Sequence, residues 1–144
     1  MRSRFTQLYL HSVWATWDRM PLLAPAIEQT VYAAILAKCH QLDCEPLAIG
    51  GMADHVHLLV RFPTTLAVAD LVKEVKGATS HLVTHETSGE PFKWQGSYGA
   101  FTVSKESAPK VRAYIEGQKQ HHRSGGIVEE WERTAAALSL RSSK

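Results

Sequence analysis

The sequence predicts an α+β domain: an antiparallel four-stranded sheet with helices, extended by extra C-terminal helices. Three observations predict it. Four short segments are rich in apolar and β-branched residues, and two longer ones repeat apolar residues at steps of three and four. In chain order they run strand, helix, strand, strand, helix, strand. The simplest closed solution is a split βαβ arrangement, the ferredoxin-like plait, with helices on one face of the sheet. Many unrelated activities share that fold, so it decides nothing about function.

The first strand is read at residues 8–15, Leu-Tyr-Leu-His-Ser-Val-Trp-Ala, and Pro21 and Pro25 mark the loop after it. Over residues 26–42, Ile27, Val31, Ile35, Cys39 and Leu42 form the apolar stripe of a helix. Residues 47–52 and 55–62 are two strands of a hairpin turning at Ala53-Asp54, and Pro63 stops the second. A second helix covers about 66–85, its buried stripe being Val68, Leu71, Val72, Val75, Thr79 and Leu82. Residues 98–103 make the fourth strand. Ser107 is the expected N-cap of a helix running to about His122, with Pro109 in its first turn. Residues 123–126 read as a hinge, followed by an amphipathic segment with Ile127, Trp131, Ala135 and Leu138.

The 144 residues are expected to form one domain, with a C-terminal helical extension from about residue 124. Apolar residues at 44% and charged ones at 21% are ordinary for a soluble protein and argue against disorder. A net charge of +2 permits a nucleic-acid partner without arguing for one. The N-terminus does not read as a signal peptide, and no stretch is apolar enough to span a membrane. Cys39 and Cys44 are the only cysteines; their spacing suits neither a zinc knuckle nor a disulfide framework. Reduced thiols in a cytoplasmic protein are expected.

Chemistry enters with His55-Val56-His57-Leu58-Leu59-Val60. On a strand, both imidazoles point one way and Val56, Leu58 and Val60 the other. Two such rings can offer nitrogens to one divalent cation. The plain alternative is two polar residues on the wet face of a sheet. The second constellation is Tyr114-Ile115-Glu116-Gly117-Gln118. Tyr114 and Gln118, four apart on a helix, share a face at the rim of the stripe Ala108, Val111 and Ile115, where the phenol stays reachable. Its plain alternative is an amphipathic tyrosine packing its ring. Gly117 costs helix stability and marks close packing or a bend.

Combined, the imidazoles of His55 and His57 and the Gln118 carbonyl oxygen make a neutral three-ligand site. Such a shell leaves the cation's charge free to polarise a phosphodiester. A phenol is protonated at neutral pH and needs help to attack. Attack on phosphorus would give a phosphotyrosine that conserves the energy of the phosphodiester, so cutting and rejoining follow more naturally than hydrolysis.

These stretches, with Met52-Ala53-Asp54 before His55, the helix segment Leu71-Val72-Lys73-Glu74-Val75-Lys76-Gly77-Ala78 and the strand Ser97-Tyr98-Gly99-Ala100-Phe101-Thr102-Val103-Ser104, resemble the single-tyrosine HUH transposases of small insertion sequences and palindromic repeats. The resemblance spans about residues 8–122 in order. It implies that His55, His57 and Gln118 hold Mg2+ or Mn2+, and that Tyr114 is the nucleophile joined to the 5′ end of a cut single strand. It implies a metal-dependent transposase that recognises a DNA hairpin. A homodimer is common in the family, while the long segment after Arg123 is more like the palindromic-repeat branch, in which monomers occur. Ala53 departs from the proline that most relatives carry before the aspartate. The alternative is a non-catalytic hairpin-DNA-binding derivative, which should have lost a ligand or the tyrosine; all four positions are present.

Lys73, Lys76, Arg61 and Lys105 are candidate phosphate contacts, and Trp94 and Tyr98 candidate platforms for unpaired bases. Solvated charges and core packing are the plain alternatives. Adjacent His121 and His122 diverge around a helix and, like His11, His40, His81 and His85, are read as exposed. Asp54 either orients His55 or closes the turn.

Overall fold

The computed structural model describes residues 5–87 and 92–135. Four strands, β1 (Tyr9–Ala15), β2 (Glu45–Met52), β3 (His55–Arg61) and β4 (Gly99–Val103), form one sheet in the order β2-β3-β1-β4. All neighbours are antiparallel. Helices α1 (Pro25–Gln41) and α2 (Val68–Leu82) cross between strands, giving the ferredoxin-like plait. Pro25 sits at the start of α1, where its fixed φ suits the first turn and its missing N–H costs nothing. Among the described residues no helix is long and apolar enough to cross a membrane.

Strand alternation gives the sheet two different faces. Leu10 and Trp14 of β1 and Val56, Leu58 and Val60 of β3 pack against Val31, Ile35 and Cys39 of α1 and Leu71 and Val75 of α2. The opposite face is also covered. There Ala48 and Leu59 meet Val111, Tyr114 and Ile115 of α3 (Ala108–Glu116), which α4 (Gln118–Ser124) follows. Helices therefore lie on both faces rather than one, because the chain turns back under the sheet after β4.

Several element ends differ from those expected. Helix α2 stops at Leu82 and passes into a π turn, Val83–Thr87. In its predicted stripe Leu71, Val72, Val75 and Thr79 are buried, while Val68 and Leu82 are half-buried. Ser107 does not cap α3 through its side chain; instead the Ser104 hydroxyl accepts from the Ser107 N–H at 3.1 Å. The predicted single helix to His122 is two, broken at Gly117. Ser124 still belongs to α4, and Gly125 reverses the chain with φ +81°. The following segment is a short 3-10 turn, Glu129–Glu132, rather than an amphipathic helix, and Leu138 lies outside the described residues. Both cysteines are free and buried, and burial pushes the Cys39 thiol up to about 12.

Helix α3 approaches the sheet so closely that β2 needs a glycine. A Cβ on Gly50 would stand 2.2 Å from the Ile115 carbonyl oxygen. Gly50→Ala should therefore cost roughly 1–3 kcal/mol in urea unfolding, as overpacking against backbone does. Gly77→Ala, with nothing within 4 Å of the new Cβ, should be neutral or stabilising. Equal effects at the two positions would contradict this seating of α3.

Candidate functional site

The β2–β3 hairpin delivers the two histidines. β3 is an inner strand, and His55 and His57 lie on its α3 side, 2% and 0% exposed. Each ring is held by its Nδ1. For His55 the partner is Asp54 Oδ1 at 2.8 Å, one residue back in the turn. For His57 it is Nε2 of His11, at 2.9 Å, reaching from β1. Both Nε2 atoms are thereby aimed at one point under the sheet, as ligating histidines usually are when a second partner fixes the ring.

His11 is 0% exposed, not solvated as the sequence reading has it, because β1 is also an inner strand. Its Nδ1 has no partner among the described residues. Burial, then the neighbouring His57, press its pKa down to about 3, so it is a neutral ring. Burial likewise lowers His57. For His55 burial opposes the charged form, but hydrogen bonds to Glu132 and Asp54 outweigh it and the pKa is raised.

The α3–α4 break brings in the second constellation. Gln118 is 1% exposed, with its Oε1 3.1 Å from His55 Nε2. Tyr114, predicted at a reachable rim, is 6% exposed. Its ring lies 5.8 Å from His57 edge-on, stacks on His121 at 5.0 Å, and meets Trp131 edge-on at 5.0 Å. The Val128 N–H donates to its hydroxyl oxygen at 2.9 Å. Burial and the hydrogen bond to Glu132 raise the phenol to about 12. The phenol lies beside the histidine pair of its own chain. His121 and His122 are half-buried rather than exposed; His122 Nε2 is 3.1 Å from Gln118 Oε1, and its ring lies 5.1 Å from that of His55.

The central residue is one the sequence reading missed, Glu132. One carboxylate oxygen stands 3.0 Å from His55 Nε2 and 3.1 Å from His57 Nε2. The other accepts the Tyr114 hydroxyl and lies 3.4 Å from Gln118 Nε2. Burial works against its charge, but hydrogen bonds from the two histidines and the tyrosine hold it well below the usual carboxylate range. It is an ionised group at the focus of the site. The 3-10 turn that carries it is seated by Trp131, in the cluster with Val111 and Ile115, and by Gly99, where a Cβ would stand 2.0 Å from the Arg133 carbonyl oxygen. His55, His122 and Glu132 offer ligand atoms within 4.8 Å of one another.

The candidate DNA contacts do not converge on this point. Trp94 is 6% exposed, its indole N–H donates to Thr79 Oγ1 at 2.8 Å, and it belongs to the main core. No ring face is left for a base. Lys76 is half-buried and donates to the carbonyls of Gln95 and Ser97 at 2.7 and 3.0 Å, with Tyr98 6.0 Å from its Nζ. Lys73 is exposed beside them, and together with Lys93 they line a cavity of about 430 Å³ on α2. Arg61 lies at the far end of β3, bonded to the Thr6 carbonyl at 2.9 Å, and shares a separate cavity with Lys105.

Residues 4–118 match the family model described as Transposase IS200 like. The ISDra2 transposase TnpA of Deinococcus radiodurans is 29% identical over 118 residues, which span 78% of this chain and 84% of that protein. The transposase for insertion sequence element IS200 of Salmonella typhimurium is 25% identical, over 80% of this chain and 79% of that one. A solved REP-associated tyrosine transposase bound to a REP hairpin aligns with a TM-score of 0.63 over 88% of this chain and 74% of that one. At 15% identity the likeness is one of fold.

The depressed His11 pKa has a thermodynamic consequence. Between about 6.5 and about 3 the unfolded ring takes up a proton that the folded one refuses. Its contribution to stability is complete above that window and is lost as the pH falls through it, by up to about 1.4 kcal/mol per pH unit. In chelator-treated protein, His11→Gln should flatten the fall of Tm with acidification between pH 6 and 4. An unchanged slope would contradict the neutral buried assignment.

Proposed function

Because the chain belongs to the IS200-like transposase family, we propose that it cuts and rejoins single-stranded DNA through a 5′-phosphotyrosine on Tyr114, using a divalent cation held by His55, His57 and Gln118. The observation that carries this reading is the convergence of the phenol, two tethered imidazoles and one amide on a single buried point.

The donor set suits a small hard cation. His55 and His57 spend Nδ1 on Asp54 and His11, leaving Nε2 for a ligand, and Gln118 turns its amide oxygen toward His55. Magnesium or manganese, when bound, would supply Lewis-acid polarisation of the scissile phosphodiester. The remaining work belongs to the chain. Asp54 and His11 fix ring orientation and tautomer. Trp131 and His121 clamp the Tyr114 ring, and the Val128 N–H fixes its oxygen. The Tyr114 oxygen forms the new bond to phosphorus, giving up its proton, and the bond to the 3′ oxygen breaks, leaving a 3′-hydroxyl. Attack by a 3′-hydroxyl on the phosphotyrosine reverses the exchange and restores the phenol. Since the phenol is buried, the stretch around Val128 has to back away while the strand enters.

A hairpin-bearing strand is the proposed substrate. The hairpin-bound relative of like fold supports this, as does the lysine-lined cavity on α2, where Lys73 and Lys93 are exposed, the Lys93 ammonium lying 4.0 Å over the Trp17 ring. Incubation with manganese and a labelled hairpin-bearing single strand should give a covalent adduct on a denaturing gel. Tyr114→Phe should abolish the adduct while retaining DNA binding, and His57→Ala should abolish cleavage but keep the hairpin complex. An adduct that persists without the Tyr114 hydroxyl would refute the assignment.

A further inference from the structure

Glu132 lies beyond the stretch that matches the family model, which ends at residue 118, yet its carboxylate occupies the focus of the site. We propose that Glu132 is a fourth, anionic ligand of the cation, an inference that rests on the metal-dependent reading above.

Spacing is the first support. Glu132 Oε1 is 3.0 Å from His55 Nε2 and 3.1 Å from His57 Nε2, and Gln118 Oε1 is 3.1 Å from His55 Nε2. Donors on adjacent vertices of an octahedral site with bonds near 2.1 Å stand about 3.0 Å apart. The second support is chemical: Mg2+ and Mn2+ are hard ions that favour carboxylate oxygen, and the other three donors, two imidazoles and an amide, bring no negative charge.

The placement is built into the fold. Gly99 admits the backbone of Arg133 against β4, and Trp131 packs with Tyr114 and His11, so the intervening Glu132 is fixed on both sides. Its second oxygen holds the Tyr114 hydroxyl, so one carboxylate joins nucleophile and cation. His122 Nε2, 3.5 Å from Oε1, closes the rim.

The competing role is a plug that fills the cation's place and must leave before metal binds. Mn2+ affinity of the full chain, measured without DNA by the free-ion electron paramagnetic resonance signal, separates the two. Glu132→Gln, which preserves shape and removes charge, should weaken binding roughly tenfold or more, and Glu132→Asp should fall between it and the unaltered protein. Unchanged affinity in both variants, or tighter binding as a plug predicts, would overturn the proposal. His57→Ala tests the underlying reading separately. If it leaves Mn2+ binding intact, the histidine site itself is wrong. If it abolishes binding while Glu132→Gln does not weaken it, only the role of Glu132 falls.

Discussion

Two imidazoles buried side by side on an inner strand must each be held by a second hydrogen bond, and the rest of the site follows from how that is done. A buried ring left to rotate would present either nitrogen. Here His55 borrows a carboxylate from the preceding residue, Asp54, and His57 borrows a neutral ring from the next strand, His11. The two solutions are electrostatically unequal. Hydrogen bonds to Glu132 and then Asp54 raise the proton affinity of His55 against its burial, whereas burial, with His55 and His122 nearby, keeps His57 low. The pair can therefore sit 5.1 Å apart, ring centre to ring centre, without carrying two charges. Two imidazolium ions at that distance in a dry interior would repel severely.

That arrangement requires a sheet with unlike faces. One face is a conventional apolar layer under α1 and α2. The other has a small apolar cluster around a polar heart, and it closes only because α3 and the 3-10 turn come very close. Gly50 and Gly99 permit those approaches, one beneath Ile115 and one beneath Arg133. Burial of the polar heart is tolerable because its members satisfy one another: Gln118, Glu132, Tyr114 and both histidines share hydrogen bonds.

The plait and half of the site were legible because they depend on local periodicity. Alternation along β3 placed His55 and His57 on one face, and the spacing of Tyr114 and Gln118 placed both toward one point even though the helix breaks at Gly117 between them. What depends on long-range register was not legible. Nothing in a run of residues says that β1 lies beside β3, so His11 looked like any other histidine. Glu132 is one of three acidic residues in a short turn. Its selection over Glu129 and Glu130 depends on the left-handed Gly125 and on Trp131 finding the cluster under the sheet. Trp94 misled for the opposite reason: an aromatic in a loop suggests exposure, but its isolated bridge to Thr16 beside β1 draws it into the core.

The charge of the ligand shell sets a balance for the proposed reaction. Two imidazoles and an amide leave the cation strongly polarising but loosely held; a carboxylate holds it tighter and damps its pull on the phosphodiester. Burial, and then the same carboxylate, keep the neighbouring phenol protonated, with its pKa raised to about 12. On the proposed reading, a cation sharing Glu132 would withdraw negative charge from the phenol and so couple metal binding to activation of the nucleophile. Burial serves the other half of the reaction. A phosphotyrosine that is to be returned to a 3′-hydroxyl must be kept from water, and the ring that would carry it is packed between His121 and Trp131.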